Sequence, residues 1–441
     1  MDTHAQAYAP AAQTLTESQV LRKIAWRLIP LIIICYLFAY FDRINISFAK
    51  FQIQSDLGFS DTVYGLGASI FFIGYVLFEV PSNLLLHKFG ARKWIARIMV
   101  TWGIATAAMM FVHSVGAFYL LRFLIGALEA GFAPGVLYYF TQWFPASFRG
   151  RIHGLFFLSI AFAGVLGAPA SGLILAHMDG VAGISAWHWL FLAGGLPCVL
   201  LGIVVFFYLE DNVRDARWLN DQEKAMIVRQ LDNDTRHIAS HTLLSAFKSP
   251  ALLALALVYL LVQIGSYGLN FWMPHLIKMS GATNPVHIGL ITAIPYLAAA
   301  IGMVVVGRLS DRTGERRAFL GGLMLLAGAG FVGAGIFEHS TVALVVSLTA
   351  AGAGVMVSIP MFWTLPARFL TGAGAAGGIA LVNSLGQLGG VISPYMVGKI
   401  HDVTGSTTPA VYAIGVLCVI CAAIVFFALP KTLRGRDRVS D

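Results

Sequence analysis

Four ionisable residues lie inside stretches of the sequence that are otherwise apolar. Asp42 and Arg43 interrupt the run IIICYLFAYFDRINISFA, and Arg122 and Glu129 interrupt FYLLRFLIGALEAGFAPGVLYYF. An arginine side chain stays protonated at any physiological pH. Placing one in a membrane helix costs at least ~2.5–3.5 kcal/mol on insertion scales, so residues of this kind usually serve a function. These four residues are therefore the first candidates for a site.

The residue types at these positions favour anion binding linked to proton exchange. A guanidinium group binds a carboxylate through two parallel hydrogen bonds, so Arg43 and Arg122 are candidate anion ligands. Burial disfavours the ionised form of Asp42 and Glu129, whereas a nearby arginine favours it. An anion that engages the arginines would weaken this support and favour proton uptake. The alternative is that the four charges form a structural ion-pair network between two helices.

Helix geometry limits which of these side chains can meet. Arg122 and Glu129 are seven residues apart, so they share one helix face but are separated by about 10 Å. Asp42 and Arg43 are consecutive and point in directions about 100° apart. We therefore expect each charge to find its partner on another element. We also expect both arginines in the outer half of the membrane and Glu129 near mid-depth.

The elements that carry these residues are predicted to be membrane-spanning helices. Of the 441 residues, 58% are hydrophobic and 11% are charged, and the mean hydropathy is +0.78. Soluble proteins have about 25% charged residues, and about 20 apolar residues suffice to cross a bilayer as a helix. The predicted fold class is therefore an all-α membrane protein. We predict about twelve spans, at residues 25–48, 62–86, 94–112, 115–141, 154–176, 188–209, 252–276, 286–308, 318–337, 341–363, 375–398 and 409–429.

The distribution of basic residues predicts the orientation of these spans. We place 24 of the 29 Lys and Arg residues in the two termini and in alternate loops. This asymmetry follows the positive-inside rule, so we expect an even number of spans and both termini in the cytoplasm. The expected location is the plasma membrane, as in a bacterial inner membrane. The formal charge of +8 thus reflects topology, and we expect no nucleic-acid partner.

The chain divides into two similar halves. A charge-rich stretch near its middle predicts a first half at residues 1–209, a cytoplasmic linker at 210–250 and a second half at 251–441. The loop after the second span, HKFGARK, has a counterpart after the eighth, GRLSDRTGERR, with Gly90 and Gly314 offset by 224 residues. Paired halves are common in transporters, which bind substrate near the midplane between them.

The repeated loop also suggests residues that hold one face of the protein shut. We assign a gating role to Arg92 in the first copy and to Asp311 and Arg312 in the second. Glu79 lies near the end of the second span, where we expect it to contact the basic loop. The charged positions of spans 1 and 4 map onto neutral residues in the second half. That half is expected to supply neutral hydrogen-bonding and aromatic walls.

Several motifs together resemble the major facilitator superfamily and, within it, the anion:cation symporter family. They are YFDRINISFA at 40–49, VPSN at 80–83, GARKW at 90–94, LRFLIGALEAGFAPG at 121–135 and WFP at 143–145. The resemblance implies that Arg43 and Arg122 bind the anion and that Asp42 and Glu129 serve proton coupling. It further implies four cavity-lining residues: Tyr40, Tyr75, Trp363 and Asn383.

The predicted function is import of a small organic anion by proton symport with alternating access. Candidate substrates are aromatic acids, hydroxydicarboxylates and sugar acids. The alternative is a proton-driven efflux antiporter for amphipathic compounds, suggested by the glycine-rich run at 164–172. We find no catalytic or metal-ligand spacing and no P-loop, so we expect neither an enzyme nor a cofactor. The expected partners are the organic carboxylate, protons and the lipid bilayer, and the expected state is a monomer.

Overall fold

A computed structural model describes residues 16–235, 250–365 and 373–429 of the chain. Within these ranges, eleven helices are long and apolar enough to cross a membrane. A further long helix, Ala373–Thr404, lies between the last two of them. The prediction of an all-α membrane protein with about twelve spans is confirmed. The exact limits of the predicted halves and linker stay a prediction.

The helices are α1 (Glu17–Leu57), α2 (Asp61–Phe89), α3 (Ala91–Ala108), α4 (Val115–Glu129), α5 (Phe132–Thr141), α6 (Ala146–His177), α7 (Ala186–Tyr208), α8 (Asp221–Thr235), α9 (Pro250–Met279), α10 (Pro285–Thr313), α11 (Arg317–Ile336), α12 (Thr341–Trp363), α13 (Ala373–Thr404) and α14 (Thr408–Phe427). Several extend beyond the apolar runs that predicted them. The first has 41 residues and is closed by a capping box at Thr16 and by Gly58 in the left-handed conformation. Capping groups rather than the hydrocarbon boundary therefore set its ends.

The fourth predicted span, at residues 115–141, agrees with the apolar segment Val115–Thr141, but the helix is interrupted within that segment. Helix α4 ends at Glu129, and α5 begins at Phe132. Between them Gly131 has φ +89°, and a Cβ atom there would lie 2.4 Å from Oγ of Ser82. Glycine alone fits this conformation and this close approach. Glu129 consequently lies at the C-terminal end of a helix, where the helix dipole disfavours a negative charge.

Helices α2 and α4 approach each other closely through glycines. A Cβ atom on Gly126 would lie 1.9 Å from the carbonyl oxygen of Phe71, and one on Gly74 would lie 2.3 Å from the carbonyl oxygen of Phe123. Small residues allow the backbones of membrane helices to approach in this way. The contact brings Arg122, on α4, against the backbone of α2.

Among the described residues, the two sets of six spanning helices meet mainly along three helix pairs, α1 with α9, α2 with α13, and α6 with α10. In the 164–172 run, Gly167 lies against Phe41 of α1, whereas Gly164 and Gly172 belong to the third pair. A Cβ atom on Gly172 would lie 2.4 Å from the carbonyl oxygen of Pro285, and one on Gly164 would lie 2.1 Å from the ring of Tyr296. These glycines therefore permit close packing between the two halves.

The linker helix α8 is tied to α1 by an ion pair. Nζ of Lys23 lies 2.9 Å from both carboxylate oxygens of Glu223. Burial opposes ionisation of Glu223, but its hydrogen bonds to Lys23 and to the Asn220 backbone outweigh burial and lower its pKa. The carboxylate is therefore ionised at neutral pH. Its contribution to stability is present above the ordinary glutamate pKa and is lost as pH falls through the lowered value.

Substitution of Gly126 by Ala tests the close contact of α2 with α4. The added methyl group meets the Phe71 carbonyl, so we expect a loss of about 1–3 kcal/mol, the usual range for overpacking. Thermal unfolding of the detergent-purified protein measures this loss. Gly116→Ala is the matched control in the same helix, because nothing lies within 4 Å of its added Cβ. Equal unfolding temperatures for the two variants would contradict the packing described here.

Candidate functional site

Arg43 and Glu129 form a buried ion pair between α1 and α4. Nε and Nη2 of Arg43 lie 3.1 Å and 2.5 Å from the same carboxylate oxygen, Oε1 of Glu129. The second oxygen, Oε2, is buried and has no hydrogen-bond donor among the described residues. Glu129 thus finds its partner on another helix, as helix geometry predicted. One of its oxygens remains free to take a proton or to accept another donor.

Three aromatic rings surround the guanidinium group of Arg43. Its central carbon lies 5.3 Å from the ring centroids of Tyr40 and Phe71 and 5.5 Å from that of Tyr75. Such contacts stabilise a cation through the negative face of each ring. Tyr40 and Tyr75, expected in the cavity wall, therefore lie beside the charged site. Phe71 was missed, although its spacing of four residues from Tyr75 places both on one face of α2.

Arg122 lacks an acidic partner. The residue is 2% exposed, and its Nε donates to the carbonyl oxygen of Gly67 at 3.3 Å. Nη2 is buried without an acceptor, and no carboxylate among the described residues forms an ion pair with the group. Its guanidinium carbon lies 4.9 Å from the ring centroid of Phe71, on which Arg43 also rests. The site therefore contains a buried cation with an unused donor.

Asp42 belongs to a separate set of contacts. Its Oδ2 accepts a hydrogen bond of 2.9 Å from the hydroxyl of Thr106 on α3, and Nδ2 of Asn45 lies 3.5 Å from Oδ1. A Cβ atom on Gly194 of α7 would lie 3.2 Å from Oδ1. Asp42 is therefore directed towards α3 and α7, while Arg43 faces α4. Of the four charges, only Arg43 and Glu129 form an ion pair.

The second half faces this site with neutral polar groups. The hydroxyl of Tyr267 donates to Oε1 of Gln387 at 2.8 Å and accepts from Gln263 at 3.3 Å. Trp363, expected in the cavity wall, donates from Nε1 to the hydroxyl of Tyr259 at 3.3 Å. These groups are amides, phenols and an indole, which form hydrogen bonds without adding charge.

Glu79 does not contact the basic loop, which corrects the expectation for this residue. Its Oε1 accepts a hydrogen bond of 2.6 Å from Nδ2 of Asn383 on α13. The residue lies about ten positions before the end of α2. This is nearly three helical turns, so its carboxyl group does not reach the loop that follows. Asn383 was expected in the cavity wall, and its bond to Glu79 joins the two halves.

The described residues of the two basic loops do not bond across the two halves: Arg92 meets the start of the linker, and Asp311 pairs within its own loop. The backbone amide of Arg92 donates to Oδ1 of Asp211 at 2.8 Å, and its Nε lies 4.0 Å from Oδ2. Asp311 pairs with Arg316 at 2.5 Å, and Arg312 is exposed. The gating role assigned to Arg92, Asp311 and Arg312 stays a prediction.

A second charged cluster joins the halves at the end of the bundle opposite the linker. Lys50 on α1 is fully buried; its Nζ lies 2.7 Å from Oδ1 of Asp61 and 3.0 Å from Nδ1 of His275 on α9. His401 on α13 lies 2.5 Å from the other oxygen of Asp61, and Asp402 accepts from the backbone amide of Asp61 at 3.2 Å. Sequence reasoning missed this cluster because its members come from four helices, α1, α2, α9 and α13, most of which are far apart in the sequence.

The sequence and the fold of this chain are similar to those of known transporters. The profile described as Major Facilitator Superfamily matches residues 32–394 and 279–441. An Agrobacterium vitis protein named "Putative tartrate transporter" is 43% identical, covering 95% of this chain and 94% of that protein. The "Quinolone resistance transporter" of Acinetobacter baumannii is also 43% identical, covering 96% and 98%. A solved D-xylose-proton symporter has a TM-score of 0.76 at 15% identity, covering 93% of this chain and 99% of its own, a likeness of fold alone.

Two six-helix bundles that enclose buried charges are the architecture of a membrane transporter. The chain belongs to the major facilitator superfamily. Its similarity to named transporters over nearly the whole chain supports the predicted transport class.

A double-mutant cycle on Arg43 and Glu129 tests their pairing. Removing one partner of a buried ion pair leaves an uncompensated charge, so Arg43→Gln or Glu129→Gln should each cost about 3–5 kcal/mol. The double variant should cost clearly less than the two single losses together. Unfolding of the purified protein in mixed micelles measures each value.

The exposed pair of Arg214 and Asp232 provides the control for this cycle. Their charged atoms lie 3.2 Å apart in the linker region, where a surface ion pair is worth about 0–1 kcal/mol. Simple additivity of the losses at Arg43 and Glu129 would show that these residues are not coupled.

Proposed function

We propose that this carrier imports a small organic anion together with protons. The observation that supports the proposal best is the buried guanidinium group of Arg122, which has an unused donor at Nη2 and forms no ion pair with a carboxylate of the described residues. A buried charge that lacks a partner is costly. The carboxylate of an organic anion would supply the missing negative charge and accept a hydrogen bond from this group.

A second arginine allows one substrate to be held at two points. Arg43 and Arg122 rest against the same ring of Phe71, at 5.3 Å and 4.9 Å from its centroid. Their guanidinium carbons cannot be farther apart than these two distances together. A small acid with a second polar group can therefore contact both arginines. This geometry suits a hydroxydicarboxylate, a sugar acid or a hydroxylated aromatic acid.

Proton coupling follows from competition for Arg43. The guanidinium group gives two hydrogen bonds to one oxygen of Glu129. A substrate carboxylate that takes over one of these donors leaves Glu129 with less positive charge beside it, which favours its protonated form. Asp42 forms no ion pair with an arginine of the described residues, and its Oδ2 accepts a hydrogen bond from the Thr106 hydroxyl. We assign Glu129 the exchangeable proton and Asp42 a supporting proton site.

Import also requires a defined orientation of the protein in the membrane and a change between its outward-open and inward-open states. We place both termini and the linker in the cytoplasm, in a bacterial inner membrane, and take the monomer as the working unit. The cluster around Lys50 and Asp61 then lies on the outer side, where its bonds to His275 and His401 hold the halves together. Opening to the outside requires these bonds to break, which is the role we propose for the cluster.

Export of amphipathic compounds is not favoured by the site. The quinolone resistance relative is similar over its whole length, and the 164–172 glycine run suggested the same class. Gly164 and Gly172 of this run pack α6 against α10, and Gly167 packs α6 against α1. Two buried arginines moreover repel a lipophilic cation, so the site suits anions better.

Uptake into proteoliposomes tests the proposal. An inward proton gradient should drive accumulation of a labelled hydroxydicarboxylate, sugar acid or aromatic acid. Arg122→Ala should abolish this uptake and raise the anion Kd about 30-fold or more, because loss of a buried charge partner costs about 2–5 kcal/mol. Arg151→Ala, at an exposed arginine, is the matched control and should transport normally.

Ligand-induced stabilisation gives an independent measure of binding. A carboxylate present at a hundredfold excess over its Kd stabilises the wild type by about 2.7 kcal/mol, and this shift should vanish in Arg122→Ala. The proposal fails if no carboxylate in such a screen is taken up or stabilises the wild type. It fails equally if Arg122→Ala behaves like the wild type.

A further inference from the structure

Glu79 is a buried carboxyl group that the ion pairs of the structure leave without a cation. The residue is 6% exposed, and only Oε1 has a donor, Nδ2 of Asn383 at 2.6 Å. Oε2 is buried without a partner, and no lysine, arginine or histidine of the described residues pairs with the group. The nearby Asn83 amide donates to the backbone carbonyl of Glu79 at 2.9 Å rather than to its side chain.

The bond to Asn383 lies at one end of the contact between α2 and α13. These helices run antiparallel, and their contacts can be followed in order along both. The first contact joins Gly398 to Asp61, where a Cβ atom on the glycine would lie 2.2 Å from the carbonyl oxygen of the aspartate. The second joins Gly65 to Pro394, where a Cβ atom on the glycine would lie 2.5 Å from the carbonyl oxygen of the proline. The third joins Gly390 to Phe72, where a Cβ atom on the glycine would lie 2.5 Å from the phenyl ring. Next in this order comes Glu79 with Asn383, nearest to the linker end of the bundle.

Glu79 also adjoins the charged site. It follows Tyr75 by one helical turn on the same face of α2, and Tyr75 packs on the guanidinium group of Arg43. Two titratable groups are near enough for Glu79 to act on them, Tyr75 on its own helix and Tyr259 on α9. Asn383, from α13, is neutral. Glu79 therefore lies between the anion site and the joint of the two halves.

We propose that Glu79 is a further proton-accepting carboxyl group of the carrier, and that Asn383 alternates between this group and the transported carboxylate. The proposal rests on the proposed function. In the state described here, one N–H of the Asn383 amide bonds to Glu79, and that N–H is not available to an anion. When the anion binds, the N–H···O bond to Glu79 breaks and a new one forms to the substrate carboxylate.

The charge balance requires a proton in this exchange. Without Asn383, an ionised Glu79 would be buried with no donor and would face a newly bound anion of the same charge. Both effects disfavour the ionised form. A proton from the solvent neutralises the carboxylate, so the region gains one negative charge with the substrate and loses one at Glu79. The bond between the halves is released in the same step.

Glu79→Gln, which keeps the shape and removes the charge, tests this proposal. The variant should still bind the anion in the thermal-shift assay and exchange it across the membrane without a gradient. We expect its reversal potential to report fewer protons per anion than the wild type, and acidification to stimulate its uptake less. Glu17→Gln, at an exposed carboxylate, is the matched control and should retain the wild-type values. Glu79→Asp, which retains a carboxyl group, should keep the wild-type number of protons per anion.

The outcomes separate this proposal from the proposed function. An unchanged proton number and pH dependence in Glu79→Gln overturn the role of Glu79 and leave the anion site intact. Loss of anion binding in both Glu79 variants overturns it too, since it would make Glu79 a structural residue. If the wild type shows no proton-driven anion uptake at all, the proposed function fails and this proposal fails with it.

Discussion

A permanent positive charge inside an apolar bundle is the constraint on which the rest of this structure depends. An arginine cannot become neutral when it is buried, so every guanidinium group in the bundle needs an anion, a carbonyl group or an aromatic ring. Arg43 has the carboxylate of Glu129 and three aromatic rings close by. Arg122 has a carbonyl group and a ring, and no carboxylate of the described residues forms an ion pair with it. Two similar residues therefore differ in that one is already paired and the other keeps an unused donor.

The close helix contacts follow from the same constraint. Arg122 reaches the carbonyl oxygen of Gly67 because α4 lies against the backbone of α2, and this approach depends on glycines such as Gly126. A larger residue there would move the guanidinium group away from its acceptor. The small residues of α2 and α4 therefore allow close packing and also keep the Arg122 guanidinium group within reach of its carbonyl acceptor.

The sequence predicted the fold class and the spans well, because twenty-residue apolar runs leave little alternative in a bilayer. It also placed Arg43 and Glu129 on different helices and required partners elsewhere, which the ion pair satisfies. It did not predict the break at Gly131, since one glycine in an apolar run does not reveal its φ. Nor did it predict the partner of Glu79, because Asn383 lies 304 positions away in the sequence.

The interruption between α4 and α5 has a consequence for motion. At Gly131 the chain already leaves the helical conformation, so a change of angle there breaks no continuous ladder of backbone hydrogen bonds. Segments that absorb such changes act as hinges between more rigid parts. Glu129 lies two residues before this point. Its bond to Arg43 therefore holds the end of α4 against α1 directly beside the point at which the chain can change direction.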